Sequence, residues 1–314
     1  MVYQQYNQEG LPMALGRLQY LAGVLLILSA ERPLAAQPAD RLQTLVRQRQ
    51  WPEALPLAEE AARRRPENGA AYYTLGLILH HQGRYIDAHR ALRQAGRRLP
   101  ENADVHRLLG LNYYVMEQYV LFEDQMQRAK ALRPMDGEFD YWLGRYHQTV
   151  TGDCAKALSF FDRALAFDRA NTRALYNRGD CHERLGDLAL AEVDYRLALD
   201  LSRRNGLTDS WPFQALAQLC LRTERLDEAL ALAREAVSLE ASSNANHLTL
   251  GKVLARNEDI AGAIRAVRRA TQLKPSDSVA RYQLYRLYLK AGDRAAAEKE
   301  LAVYREQIAT YRTR

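Results

Sequence analysis

The sequence predicts an all-α array of antiparallel helix hairpins, and three observations predict it: a period near 34 residues, columns of small residues locked to that period, and turn residues midway through each unit. Gly76 sits in TLGLILHHQGRYIDAHRALRQAGRRLP and Gly110 in LLGLNYYVMEQYVLFEDQMQRAKALRP, with Gly144, Gly179 and Gly251 in similar settings; the first two steps are both 34 residues. A second column, Ala54, Ala88, Phe122, Ala157, Ala191, Ala229, Ala263 and Ala297, advances by 34, 34, 35, 34, 38, 34 and 34. A third, Ala61, Ala95, Ala129, Ala164, Ala198, Ala236, Ala270 and Tyr304, keeps the same steps. Self-similarity at such a period is the signature of a repeat architecture.

Each unit reads as two helices. A glycine or alanine in the first lets the second approach closely, and Leu75, Leu109, Leu143, Leu216, Leu250 and Leu284 anchor that first helix. Turn pairs such as Gln82-Gly83, Gly152-Asp153, Gly186-Asp187 and Gly292-Asp293 break the hairpin. Pro66, Pro100, Pro134 and Pro275 close the unit, since proline cannot continue a helix interior; Arg169, Arg203 and Ala241 stand there in other units. No hairpin of this kind buries its apolar face alone, so stability comes from stacking.

Eight units follow from the columns. A degenerate first repeat covers 37–68, with Leu42 in the glycine column and Pro56 inside its second helix, Trp51 to Arg64. Repeats two to five cover 69–205, an insertion 206–209, and repeats six to eight 210–311. A further one-residue insertion falls in the turn before Ala157. The last unit puts Tyr285 and Tyr304 in small-residue columns, and its final helix, Asp293 to Thr310, is charged as a terminal cap should be.

The first 36 residues read as a secretory signal. Arg17 precedes the apolar run Leu18 to Ala30, LQYLAGVLLILSA, and the polar, small-residue stretch ERPLAAQPAD follows, with cleavage expected after Ala36. The run is short of the roughly 20 residues of a spanning helix. The polar extension before Met13 fits a start at that methionine, and an uncleaved signal anchor tethering the chain to the membrane is the alternative. The expected location is periplasmic or secreted, with no membrane span after cleavage.

Composition sets the remaining bounds. Hydrophobic residues make up 47%, as in an ordinary folded protein. The net charge of +6 arises from 44 basic and 38 acidic residues; Arg17 and Arg32 cancel Glu9 and Glu31 in the leader, so the surplus belongs to the body. That balance favours an acidic partner weakly, and it is too diluted for nucleic acid. Three cysteines, Cys154, Cys181 and Cys220, are too few for a disulfide framework; Cys154 and Cys181 come from adjacent units, and whether they pair is open.

These columns resemble the tetratricopeptide repeat family, whose pattern W-x2-L-G-x2-Y, then A-x3-F, then A and P, recurs here from near Ala35 to Tyr311. The resemblance implies a right-handed superhelical solenoid and a partner, protein or peptide, held on a concave face lined by the first helices. Carried over unit by unit, that lining includes Tyr73, Arg107, Tyr114, Tyr141, Arg145, Tyr176, Arg184, Trp211, Arg222, Lys252, Tyr282 and Arg286. Tyr73, Tyr141, Tyr176 and Tyr282 recur at one position, with arginines interleaved; tyrosine and arginine are common interface anchors. Asn177 matches an asparagine with which some members grip a terminal carboxylate, but Trp211 and Ala215 stand where that grip needs basic residues.

Catalytic motifs are missing from the sequence. It holds no phosphate loop, no Cys-x-x-Cys and no nucleophile elbow. The seven histidines read as packing residues, His106 and His247 in one column and His147 and His182 in another, with His80, His81 and His89 loosely clustered. The expectation is a scaffold without enzymatic activity, cofactor or metal. A structural subunit of an envelope secretion or polysaccharide-export assembly is the second reading.

Overall fold

The computed structural model describes residues 36–206 and 209–312. The expected leader therefore lies outside the described residues up to residue 35, as do Leu207 and Thr208 of the expected insertion. Among the described residues there are sixteen α-helices and they fit eight hairpins. They pair as α1 (Ala36–Arg47) with α2 (Trp51–Arg64), α3 (Gly69–His81) with α4 (Tyr85–Arg98), and α5 (Ala103–Val115) with α6 (Tyr119–Leu132). Next come α7 (Gly137–Tyr146) with α8 (Cys154–Phe167), α9 (Thr172–Leu185) with α10 (Leu188–Arg204), and α11 (Trp211–Arg222) with α12 (Leu226–Leu239). The last pairs are α13 (Asn244–Arg256) with α14 (Ile260–Leu273) and α15 (Ser278–Lys290) with α16 (Arg294–Arg312). Two compact units divide the chain, one ending at Phe139 and one beginning at Asp140.

The helices start where side chains satisfy their free amides. Asn68, Asn102, Asn171, Ser243 and Asp277 cap α3, α5, α9, α13 and α15, each accepting from backbone N–H groups of the first turn. Each stands two residues after the unit-closing position, at Pro66, Pro100, Arg169, Ala241 and Pro275. A cap of this kind is worth about 1 kcal/mol. The hairpin turns share a second device. Arg49, Gly83, Glu117, Gly152, Gly186, Glu224, Glu258 and Gly292 all have positive φ, one in each turn. Glycine fills that left-handed position in four units; in the others arginine or glutamate bears a strain of roughly 1–2 kcal/mol.

Within a hairpin, the glycine column works by leaving out a side chain. A Cβ on Gly76 would come within 2.6 Å of Leu92, on Gly144 within 2.7 Å of Phe161, and on Gly179 within 2.7 Å of Tyr195. Gly110 faces Met126, and Gly251 faces Val267. Each bulky partner lies on the second helix of the same hairpin. Where alanine replaces the glycine, at Ala217, the corresponding second-helix residue is Ala233, and both are fully buried. Leu42 in the first hairpin shares its cluster with Ala58. The alanines of the second column are completely buried, as is Phe122. In the first unit, Leu42, Ala54, Ala58 and Ile78 form a core; in the second, one core surrounds Phe213 and Leu216 and another Val267 and Leu284.

Both insertions are wound into helices rather than left wholly in loops. The single extra residue, expected in the turn before Ala157, lies earlier: it widens the end of the seventh helix into a π-helical turn, His147–Thr151. Helix α10 has 17 residues where α8 and α12 have 14, so most of the insertion expected at 206–209 lengthens α10.

Side chains about 32 residues apart link successive hairpins. His80 Nδ1 meets Asn112 Oδ1 at 3.1 Å in the first unit. In the second, Gln148 donates to Asp180 (2.7 Å), Arg196 to Glu228 (2.6 Å) and Arg203 to Glu235 (2.6 Å). The exposed ion pairs are worth a few tenths of a kcal/mol each, so they set register more than stability.

Adding a methyl group at a glycine facing a rigid ring should destabilise the array. Gly144→Ala and Gly179→Ala are expected to lose about 1–3 kcal/mol through overpacking, despite the roughly 1 kcal/mol helix preference of alanine. Gly110→Ala should cost less, because the Met126 methyl can turn away. Urea denaturation of the three variants checks this; a neutral Gly179→Ala would show that close approach is not required.

Candidate functional site

In the first unit the expected lining residues hold one another. Tyr73 is half-buried and hydrogen-bonded to Arg107, and burial raises its phenol above the ordinary value. Arg107 donates to Glu138 at 3.2 Å and lies 3.7 Å from Asp104. Burial alone would weaken its charge, but Glu138, Tyr73, Asp104 and Asp136 outweigh that and hold its pKa above the usual value. Tyr114 is buried, edge-on to Phe122 at 5.1 Å, so it serves packing and offers a partner little surface. The three histidines do not form one group. His81 stacks flat on Trp51 at 4.5 Å, whereas His89 packs against Tyr113.

In the second unit Tyr141 is only 3% exposed, with the Arg173 guanidinium 4.8 Å from its ring centre. The tyrosine row is thus unequal: Tyr141 is a core residue, while Tyr282 is exposed and clusters with Tyr285 and Tyr304. Arg145 donates to Asn177 Oδ1 at 3.3 Å. Its pKa falls to about 10, because burial and then the neighbouring Arg173 oppose its charge more than Tyr176 and Asp180 support it. The buried amide of Gln148 donates to Asp180 at 2.7 Å.

Three expected residues, Tyr176, Arg184 and Arg222, line one cavity of about 170 Å³ between α9 and α11, together with Asp180, Glu183, Gln214 and Gln218. Trp211 meets Tyr176 edge-on at 4.8 Å. Glu183 accepts from the Tyr195 hydroxyl at 3.0 Å and pairs with Arg222. Arg184 lies 3.8 Å from Asp180 and donates to the Gln148 carbonyl at 3.0 Å. Tyr195, which lines the floor, was not among the expected residues. Its signal was its place opposite Gly179, where each glycine-bearing hairpin puts a bulky side chain. Burial, then Glu183, pushes its phenol far above the usual value, so it remains a donor. Lys252 and Arg286, on α13 and α15, are not part of this cavity. Among the described residues no three His, Cys, Asp or Glu side chains gather as metal ligands, and no helix is long and apolar enough to cross a membrane.

Sequence profiles described as tetratricopeptide repeat match residues 40–88, 171–239 and 254–312, together more than half of the chain. The chain belongs to the tetratricopeptide repeat family. No curated protein matches this repeat protein. Among solved structures it is similar to the APC/C hetero-tetramer Cut9-Hcn1, with a TM-score of 0.65 and 16% identity over 82% of this chain and 50% of that one. It is also similar to a tetratricopeptide repeat protein of Parabacteroides merdae, with a TM-score of 0.62 and 17% identity over 81% of this chain and 98% of that one. For yeast Tom70 the TM-score is 0.58 and the identity 18%, over 82% of this chain and 54% of that one. The repeat protein thus spans about half the length of the Cut9-Hcn1 and Tom70 chains, and at these identities the likeness is one of fold.

The Trp51–His81 stack gives a pH signature. His81 keeps an exposed surface, yet desolvation of its ring, reinforced by His80, Arg49 and Arg107, lowers its pKa to about 4, from an ordinary value of about 6.5. The folded state thus prefers neutral imidazole. Its contribution to stability is complete above pH 6.5 and is lost as pH falls toward 4, where the unfolded chain binds the extra proton first. The His81 ring-proton resonance should titrate with a midpoint near pH 4; a midpoint of 6.5 would contradict the stacked geometry.

Proposed function

We propose that this tetratricopeptide repeat protein is a non-catalytic scaffold of the periplasm or cell envelope, exported behind residues 1–36, which holds a segment of a protein or peptide partner against its first helices. The carrying observation is the cavity of Tyr176, Glu183, Arg184 and Arg222, on the helices where the repeat family presents its binding face. Its polar groups are held in place before any partner arrives: Glu183 by Tyr195, Asp180 by Gln148, Tyr176 by Trp211. Preorganisation of this kind spares a binding site the cost of ordering its side chains. The second unit's first helices also carry Arg145, Arg173, Arg184 and Arg222 against Asp180 and Glu183, which favours an acidic or mixed segment. Residues 18–30 and the small-residue stretch after them support the export step.

A structural subunit of an envelope assembly is the second reading, and Leu190, Val193 and Leu197 favour it: spaced as one helical face of α10, they are 51%, 62% and 43% exposed. Partner capture from the envelope fraction, with the captured proteins identified by mass spectrometry, separates the two. The exposed pair Arg184→Ala with Arg222→Ala should lower affinity for a captured segment at least tenfold, in line with the 1–3 kcal/mol of an interface anchor, while helix content stays unchanged. Capture that survives this change but fails in Leu190→Asn with Val193→Asn would move the contact to α10 and the function to assembly.

A further inference from the structure

One column of the first helices reaches forward from hairpin to hairpin. Arg107 on α5 donates to Glu138 on α7 at 3.2 Å, and Tyr141 on α7 lies under the Arg173 guanidinium of α9. Tyr176 on α9 meets Trp211 of α11 edge-on, and Gln214 on α11 donates to Thr249 of α13 at 3.2 Å. Leu248 on α13 packs against the core that holds Ala280 and Leu284 of α15. Tyr282 on α15 continues the column, yet it is 42% exposed, and its ring neighbours Tyr285 and Tyr304 belong to its own hairpin. Val279 and Leu289 beside it are 55% and 46% exposed, and Arg286 is exposed between them. Positions 279, 282, 286 and 289 step by 3, 4 and 3, the spacing that sets side chains in one stripe along a helix.

We propose that this stripe is a two-fold self-association surface, on which α15 packs antiparallel against α15 of a second copy of the chain. The stripe continues the face by which earlier hairpins hold their neighbours, and it is complementary to itself. Antiparallel pairing about Leu284 sets Val279 against Leu289 of the second copy and Tyr282 against its Arg286, each contact made twice. The tyrosine–arginine contact repeats one already present in the column, where the Arg173 guanidinium lies 4.8 Å from the Tyr141 ring centre. The exposed Lys290 at the end of α15 comes near Asp277, which caps the start of the other copy's helix. Parallel pairing would instead set Arg286 against Arg286. A contact in which each copy offers the same patch closes at two copies and builds no filament. One helix pair is a small interface, so the association is reversible.

The test is sedimentation equilibrium of the purified full chain over a concentration series, with circular dichroism to follow helix content. The expected result is a monomer–dimer equilibrium. Tyr282→Arg alone sets arginine against arginine and should weaken the dimer at least tenfold, as loss of an interface anchor does, with helix content unchanged. Adding Arg286→Tyr to it exchanges the two groups, keeps every tyrosine opposite an arginine, and should restore the dimer. Leu289→Asn should weaken the dimer by itself. A chain that stays monomeric throughout, a dimer indifferent to Tyr282→Arg and Leu289→Asn, species that grow beyond two copies, or a double exchange that fails to restore association while keeping its helix content would each overturn the proposal. This inference goes beyond the binding reading. Its variants touch neither the Tyr176 cavity nor α10, and its readouts need no partner, so either can fail without the other.

Discussion

The missing side chain at the glycine column is the constraint from which the rest of the array follows. Where Gly144 meets Phe161 and Gly179 meets Tyr195, the second helix lies so close that no Cβ fits. That closeness lets each glycine-bearing hairpin bury a large side chain within itself, on helices joined by a short turn. The neighbouring hairpin then needs only to cover the alanine columns. Contacts are therefore local and between nearest neighbours, the condition under which a repeat array is stabilised unit by unit. Two of the replacements obey the same geometry: Ala217 corresponds to Ala233, and Leu42 shares its cluster with Ala58.

Features that depend on the volume of one side chain were legible in the sequence. The period and the alanine columns followed from residue size at fixed spacing. Features that depend on backbone strain were not. Four turns show their left-handed residue as glycine, but Arg49, Glu117, Glu224 and Glu258 adopt it without that signal. The π-helical turn was equally hidden, because one extra residue can be housed anywhere along a helix end.

The candidate face was only partly legible, for a related reason. Column membership says which side of a first helix a residue occupies, but not what covers it. Tyr141 and Tyr176 share a column; the first is roofed by Arg173 and enclosed, while the second opens onto a cavity. Arginines divide in the same way. Arg107 is held by Glu138 and Asp104, Arg145 is half-buried and bonded to Asn177, and Arg184 and Arg222 stand at the cavity with their side chains about half exposed. Tyr195 was overlooked because it comes from a second helix, whose residues the family pattern assigns to packing.

The lengthened α10 carries a further consequence. Each extra residue adds about 1.5 Å of rise and turns the chain about 100° around the helix axis. Three residues beyond the usual 14 shift the point from which the chain departs toward α11 by nearly a full turn. The cavity lies at this same junction, between α9 and α11, where the step between alanines is 38 instead of 34. In the language of crystals, the array carries a dislocation: a strictly periodic stack repeats its surface at every step, and singularity enters at the fault. What distinguishes this face from the generic surface of its family is thus encoded less by a special residue than by four additional ones.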